Sequence, residues 1–272
     1  LKKESGLKDV KIYLLDDPVP NAFTAGGDAI FLNSGLITDF PDPDVLRGVI
    51  AHEMGHITGH HITRRQEVID NYSKAALSTT VLGLAAAMSG RGGEGMALAM
   101  GGAHVAERSI YAYSRTFESS ADEYAMQLLE KTGHSVIGMI KFFKKMQSFG
   151  KNSMFNPYEQ THPMSDERLA VMRDFQKHSK FKESQNNPEL INKYKRSAAK
   201  LAAFTWDLED VSSYPHQGEN LANYMQAVKY FRTGDFASAL EHVDTLLKKS
   251  PNDPYYHELR AQILFEKGDK AA

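Results

Sequence analysis

His52-Glu53-Met54-Gly55-His56 decides how the rest of the chain reads. On a helix, residues four apart share a face, and two imidazoles at that spacing can grip one metal ion. Glu53 points to the neighbouring edge, where it can reach a polarised water without ligating the metal. That is the placement a general base needs in metal-assisted hydrolysis. With 11 histidines in 272 residues, chance produces this pattern only roughly 0.03 times, so it is read as a site rather than an accident. Its context is helical. Asp42-Pro43-Asp44 supplies start signals, and Val45, Leu46, Val49, Ile50, Met54 and Ile57 recur at helical spacing.

A hydrolytic zinc takes three protein donors and keeps one position open, so a third donor is needed. The pattern HExxHxxGxxH has Gly59 in place, but Ile62 stands where its last histidine belongs, and His60 and His61 are out of register. The other zincin pattern takes a glutamate from a second helix. Ser114-Arg115-Thr116-Phe117-Glu118-Ser119-Ser120-Ala121-Asp122 supplies one, which makes Glu118 the expected third ligand. A site using His60 or His61 is the alternative. Asp122 lies one helical turn beyond Glu118, placed to accept a hydrogen bond from the remote nitrogen of a zinc histidine, His52 first, and so to fix its ring.

Together these residues resemble the HtpX and CAAX prenyl protease family of gluzincins, and within it the soluble periplasmic BepA-like branch that ends in tetratricopeptide (TPR) repeats. Four segments carry the likeness: Asn21-Ala22-Phe23-Thr24-Ala25-Gly26-Gly27, the HExxH helix, Ser114-Arg115 through Glu118 to Asp122, and Thr161-His162-Pro163 followed by Arg168. The resemblance covers roughly residues 5 to 175. It implies one Zn2+ per chain on His52, His56 and Glu118, with Glu53 activating water for hydrolysis of peptide bonds. It also implies protein or peptide substrates, a periplasmic location and a role in envelope protein quality control. His162 would either donate to the developing oxyanion or sit on the metal's open position as a brake. Arg168 would support the same loop or contact substrate.

Asn21 to Leu32 reads as two short strands around Gly26-Gly27, with Lys11 to Leu15 as a third. An edge strand there would pair with an extended peptide, making Asn21, Ala22 and Phe23 candidate substrate contacts. The expected fold is α+β: a mainly helical protease domain with a small sheet over residues 1–180, then a helical TPR-like solenoid over 181–272.

Composition is that of a globular protein, with 42% hydrophobic and 24% charged residues. A net charge of -2 gives no reason to expect nucleic acid. Zero cysteines exclude disulfides, thiolate catalysis and cysteine-ligated zinc. The first residue, Leu1, is followed by no positively charged and apolar leader, so any targeting signal is expected outside this stretch. The apolar run Ala75 to Met88 is shorter than the ~20 residues a membrane span needs. With the glycine-rich Ser89 to Gly95 and the small-residue run after it, it predicts a helical hairpin. That hairpin is expected to be buried or to cover the cleft, with peripheral membrane contact through 75–105 as the alternative.

Ala227, Tyr230, Gly234 and Asp235 recur 34 positions later as Ala261, Leu264, Gly268 and Asp269, and thirty-four is the TPR period. The second unit stops after its first helix, so the natural chain is expected to continue. Such a tail would recruit substrates or a protein partner. A TPR scaffold or chaperone-like assembly factor with a gated or silent zinc site is the competing non-enzymatic reading.

Overall fold

The computed structural model describes residues 1–152, 157–207, 209, 214 and 218–269; the final residues of the repeat region, 270–272, lie outside these. Three strands, β1 (Lys11–Leu15), β2 (Ala22–Thr24) and β3 (Ala29–Asn33), form one sheet in the order β1-β3-β2. Gly26 and Gly27 take φ of 99° and 63° in the turn joining β2 to β3. Eleven helices follow among the described residues: α1 (Ser34–Asp39), α2 (Pro43–Thr58), α3 (His61–Met88), α4 (Gly92–Lys131), α5 (Ile137–Asn152), α6 (Pro157–Thr161), α7 (Asp166–His178), α8 (Pro188–Thr205), α9 (Glu219–Thr233), α10 (Phe236–Lys249) and α11 (Pro254–Lys267). The fold is α+β and mainly helical, with a single small sheet among the described residues.

The chain forms two compact units. The first comprises Leu1–Tyr13, Ala22–Phe31 and Arg47–Ser184. Its core joins the buried faces of α2, α4, α5 and α7: Met54, Ala121, Ala125, Leu129, Ile140, Phe143 and Met172. α2 starts where the sequence signals it, with the Asp42 carboxylate accepting from the Asp44 N–H at 2.9 Å. α7 starts at Ser165, whose hydroxyl accepts from the Arg168 N–H.

α3 and α4 lie along each other as a long hairpin. The glycine-rich stretch does not form a loop, because the turn is confined to the residues between Met88 and Gly92 and the helix resumes through Gly92–Gly95. Small residues Gly83, Gly95 and Ala106 are buried along the hairpin. Contrary to the burial predicted for it, Leu77, Val81, Leu82, Met88, Met96 and Met100 are exposed, Met88 at 89%. Small side chains satisfy one partner helix and leave the larger ones facing outward. No described helix is long and apolar enough to cross a membrane.

The second unit comprises Leu14–Asn21, Leu32–Leu46 and Gln185–Ala272. Its two N-terminal segments are marked by no shift in composition; packing recruits them. α1 packs on α8, and the Tyr194 hydroxyl donates to the Phe40 carbonyl at 3.3 Å. The core runs through Ala199, Ala202, Tyr224, Met225, Val228, Val243, Leu246 and Ile263. Gly234 and Gly268, the glycines of the 34-residue period, both end helices in the left-handed conformation, at φ of 81° and 89°.

Candidate metal centre

α2 brings His52, Glu53 and His56 to one buried face, none of them more than 7% exposed. α4 meets it with Ser114, Glu118, Ala121, Asp122 and Ala125, all buried and repeating at helical spacing. The two helices approach closely at Gly55. A Cβ there would stand 2.8 Å from the Ala121 carbonyl oxygen and 2.9 Å from its Cα. The glycine within the HExxH motif thus lets two histidines reach a glutamate on another helix.

His52 Nε2 and His56 Nε2 are 3.0 Å apart, and each lies 3.3 Å from a Glu118 carboxylate oxygen. His162 Nδ1 completes the cluster, 3.3 Å from His52 Nε2 and 3.2 Å from Glu118 Oε2. One donor atom from each of these four residues falls within 4.8 Å of all the others. On the far side of its ring, His52 Nδ1 is 2.9 Å from Asp122 Oδ1. When the ring is neutral and its Nδ1–H is donated to Asp122, the inward nitrogen carries a lone pair facing the nitrogen of His56. Two facing lone pairs repel, and a cation between them turns the repulsion into binding, so the donor set fits a divalent metal of zinc's preferences. His60 faces solvent, and His61, weighed as an alternative third ligand, is not in this cluster.

The electrostatics agree. Burial alone pushes the His52 pKa down, but Asp122 and Glu118 raise it to about 10, a field that favours positive charge on that ring, whether proton or metal. His56 has no carboxylate hydrogen bond to match and only the charge of Glu118 in compensation, and it is lowered well below the usual imidazole range, by burial first and then by His52. Glu118 is held far below the ordinary carboxylate range: burial opposes ionisation, yet His162 and His52 outweigh it.

Glu53 differs. Its carboxylate is fully buried and neither oxygen accepts a hydrogen bond from a described residue; His162 Nε2 lies 3.5 Å from Oε1. Burial raises its pKa. A buried carboxylate with both oxygens unsatisfied is costly to keep unless something occupies the space beside it. That space is a cleft of about 140 Å³ lined by Phe23, Thr24, Glu53, His56, His61, Ile62, Arg65, Ser114, Phe117, Glu118, Thr161 and His162.

His162 is held by the short helix α6, whose Tyr158 stacks on its ring at 4.6 Å and whose Tyr158 carbonyl accepts the His162 N–H. Arg168, expected to support this loop or to contact substrate, is 7% exposed and faces inward. Its guanidinium grips Asp122 through two donors, at 2.6 and 2.9 Å, reaches the Pro163 carbonyl at 2.6 Å and lies 3.1 Å from Glu118. One side chain thus ties α4 to the His162 loop. Of the predicted substrate contacts, Phe23 lines the cleft, Ala22 is fully buried, and Asn21 is buried with its carbonyl accepting from the Asn33 N–H. Sequence reasoning named Ser114 only as part of the Glu118 motif, without a role at the cleft, and missed Tyr158. Ser114 stands four residues before Glu118, a spacing that puts it on the same face of α4; nothing local marks Tyr158.

A HExxH helix, a glutamate from a second helix and an unpartnered glutamate beside them define a metal-dependent peptidase. The chain belongs to peptidase family M48, whose model matches residues 1–176. It is similar to the beta-barrel assembly-enhancing proteases of Yersinia pestis, at 25% identity over 96% of this chain and 54% of the relative, and of Escherichia coli strain K12, at 24% identity over 92% and 53%. The metalloprotease YcaL of Escherichia coli strain K12 is 31% identical over 60% of each chain. The chain spans about half the length of the assembly-enhancing relatives it matches.

Proposed function

We propose that this chain is a zinc-dependent endopeptidase in which His52, His56 and Glu118 hold one Zn2+ and Glu53 is the general base. One observation carries this reading: Glu53 presents two unpaired, buried carboxylate oxygens to the cleft, beside three convergent ligand atoms. Zinc would act as a Lewis acid, polarising a water and the scissile carbonyl. Glu53 takes the proton of that water and passes it to the leaving amine. Its raised pKa suits both duties, since a base must hold the proton long enough to deliver it. Asp122 orients His52. β2, an edge strand of the sheet with Phe23 at the cleft, would accept an extended segment of substrate by main-chain pairing.

The position of His162 supports a gate. Its Nδ1 is as close to Glu118 and His52 as those residues are to each other, so it can serve as a fourth donor on the position that substrate needs. Withdrawal of the His162 loop then admits substrate and frees this ring to stabilise the oxyanion. A site closed in this way also suits the second reading, an assembly factor whose zinc site is silent until released.

Residues 1–180 act as the protease domain and 181–272 as a TPR-like tail that recruits protein substrates or a partner. The likeness to beta-barrel assembly-enhancing proteases supports a periplasmic setting and work in envelope quality control. The exposed apolar hairpin of α3 and α4 offers peripheral contact with a membrane. The test is Glu53→Gln in the full chain, which should bind zinc in unit stoichiometry and lose cleavage of a protein substrate. Cleavage undiminished in that variant removes Glu53 from the mechanism.

A further inference from the structure

The junction of α2 and α3 uses a backbone that few residues adopt. His60 has φ 51° and ψ 36° and is the only non-glycine residue with positive φ among those described; the left-handed conformation costs roughly 1–2 kcal/mol outside glycine. Gly59, just before it, leaves no room for a side chain, since a Cβ there would stand 2.1 Å from His61 Nε2 and 2.5 Å from its Cδ2. Both features have one result. The chain turns so sharply that the side chain of His61, the first residue of α3, reaches back to His56 in the last turn of α2.

His61 is 4% exposed. Its Nδ1 lies 3.0 Å from His56 Nδ1, with the two rings edge to face at 85°. Phe117, the residue before Glu118, stacks on the His61 ring at 4.8 Å and 17°, so a ring from α4 also holds the imidazole in place. The other nitrogen of His56 faces His52.

We infer that His61 is the positioning residue of His56: its Nδ1 lone pair accepts the His56 Nδ1–H, and thereby turns the Nε2 lone pair of His56 toward the metal. The inference rests on the zinc role proposed for His56. The two helical histidines then have different anchors, a carboxylate for His52 and a neutral imidazole for His56. A neutral acceptor fixes the ring without adding negative charge to a pocket that already holds Glu53, Glu118 and Asp122. It also accounts for the strained turn, because an unkinked junction would send His61 away from His56.

The test uses the full chain with His61→Phe, which keeps a stacking ring and loses the acceptor, and His61→Asn, which restores an acceptor oxygen near the Nδ1 position. Zinc affinity is measured by competition with a chelating dye, and geometry by the absorption spectrum of the cobalt(II)-loaded protein. His61→Phe should bind zinc about 10–100-fold more weakly and shift the cobalt spectrum, while His61→Asn recovers most of both. His61→Leu gives the same comparison if the Phe variant does not fold. Undiminished zinc affinity in the acceptor-free variant, a rise in KM alone, or no recovery by Asn overturns this assignment. Zinc held equally tightly by His56→Ala overturns the zinc reading itself, and the assignment with it.

Discussion

Asp122 Oδ1 lies 2.9 Å from His52 Nδ1, and the same carboxylate takes two donors from Arg168. One aspartate thus fixes the His52 imidazole and is itself fixed by a buried guanidinium. Replacing it with alanine removes the acceptor that sets the His52 tautomer. Zinc affinity should fall by about 10–100-fold, read from chelator competition. A variant that holds zinc as tightly as wild type shows that His52 needs no partner.

Arg168 is the other half of that pair. In Arg168→Met, Asp122 and Glu118 keep their charges with less compensation, and breaking one side of a buried pair costs about 3–5 kcal/mol. Thermal unfolding should therefore drop by many degrees, and the His162 loop, tethered through Pro163, should become sensitive to limited proteolysis. If the melting temperature is unchanged, the guanidinium is not structural.

Stability should depend on acid in a defined direction. Against the penalty of burial, hydrogen bonds from His52 and Arg168 hold the Asp122 pKa below the usual 3.8. A group depressed in the fold stabilises it at pH values above the unfolded pKa, and that contribution is lost as pH falls through the folded value. The metal-free protein should lose this contribution only below about pH 4, and Asp122→Asn should flatten that limb of a chemical-denaturation series.

Metal binding should depend on pH in the opposite sense. His52 must give up a proton held with a pKa of about 10, and zinc competes with that proton. Between pH 6 and 8, apparent affinity should rise roughly tenfold per unit from this group alone. A flat profile by calorimetry would mean that His52 is not a ligand.

Gly55 tests the helix approach. In Gly55→Ala the added methyl meets backbone atoms of Ala121, which cannot rotate away. The helices must separate by several tenths of an ångström, at about 1–3 kcal/mol of overpacking. Zinc affinity should fall even though no ligand is altered, whereas Gly92→Ala, which meets nothing within 4 Å, should change neither property.

The local sequence determined whatever depends on spacing along one element. The helical pair His52 and His56, the start of α2 at Asp42, Glu118 with Asp122 one turn away, and the two helix-ending glycines 34 residues apart all follow from helical period and capping. The tertiary structure decided what depends on distance between elements. Residues 46 positions apart, Asp122 and Arg168, meet only because α7 packs on α4. His162 reaches the ligands through Tyr158, and the hairpin of α3 and α4 keeps its larger apolar side chains outside because small residues fill its seam. His61 shows the division most clearly. Its neighbours in sequence are visible from the start, but which nitrogen of His56 it faces depends on a left-handed turn at His60 and on a phenylalanine from another helix. A periodic pattern fixes faces, and only packing fixes which faces meet.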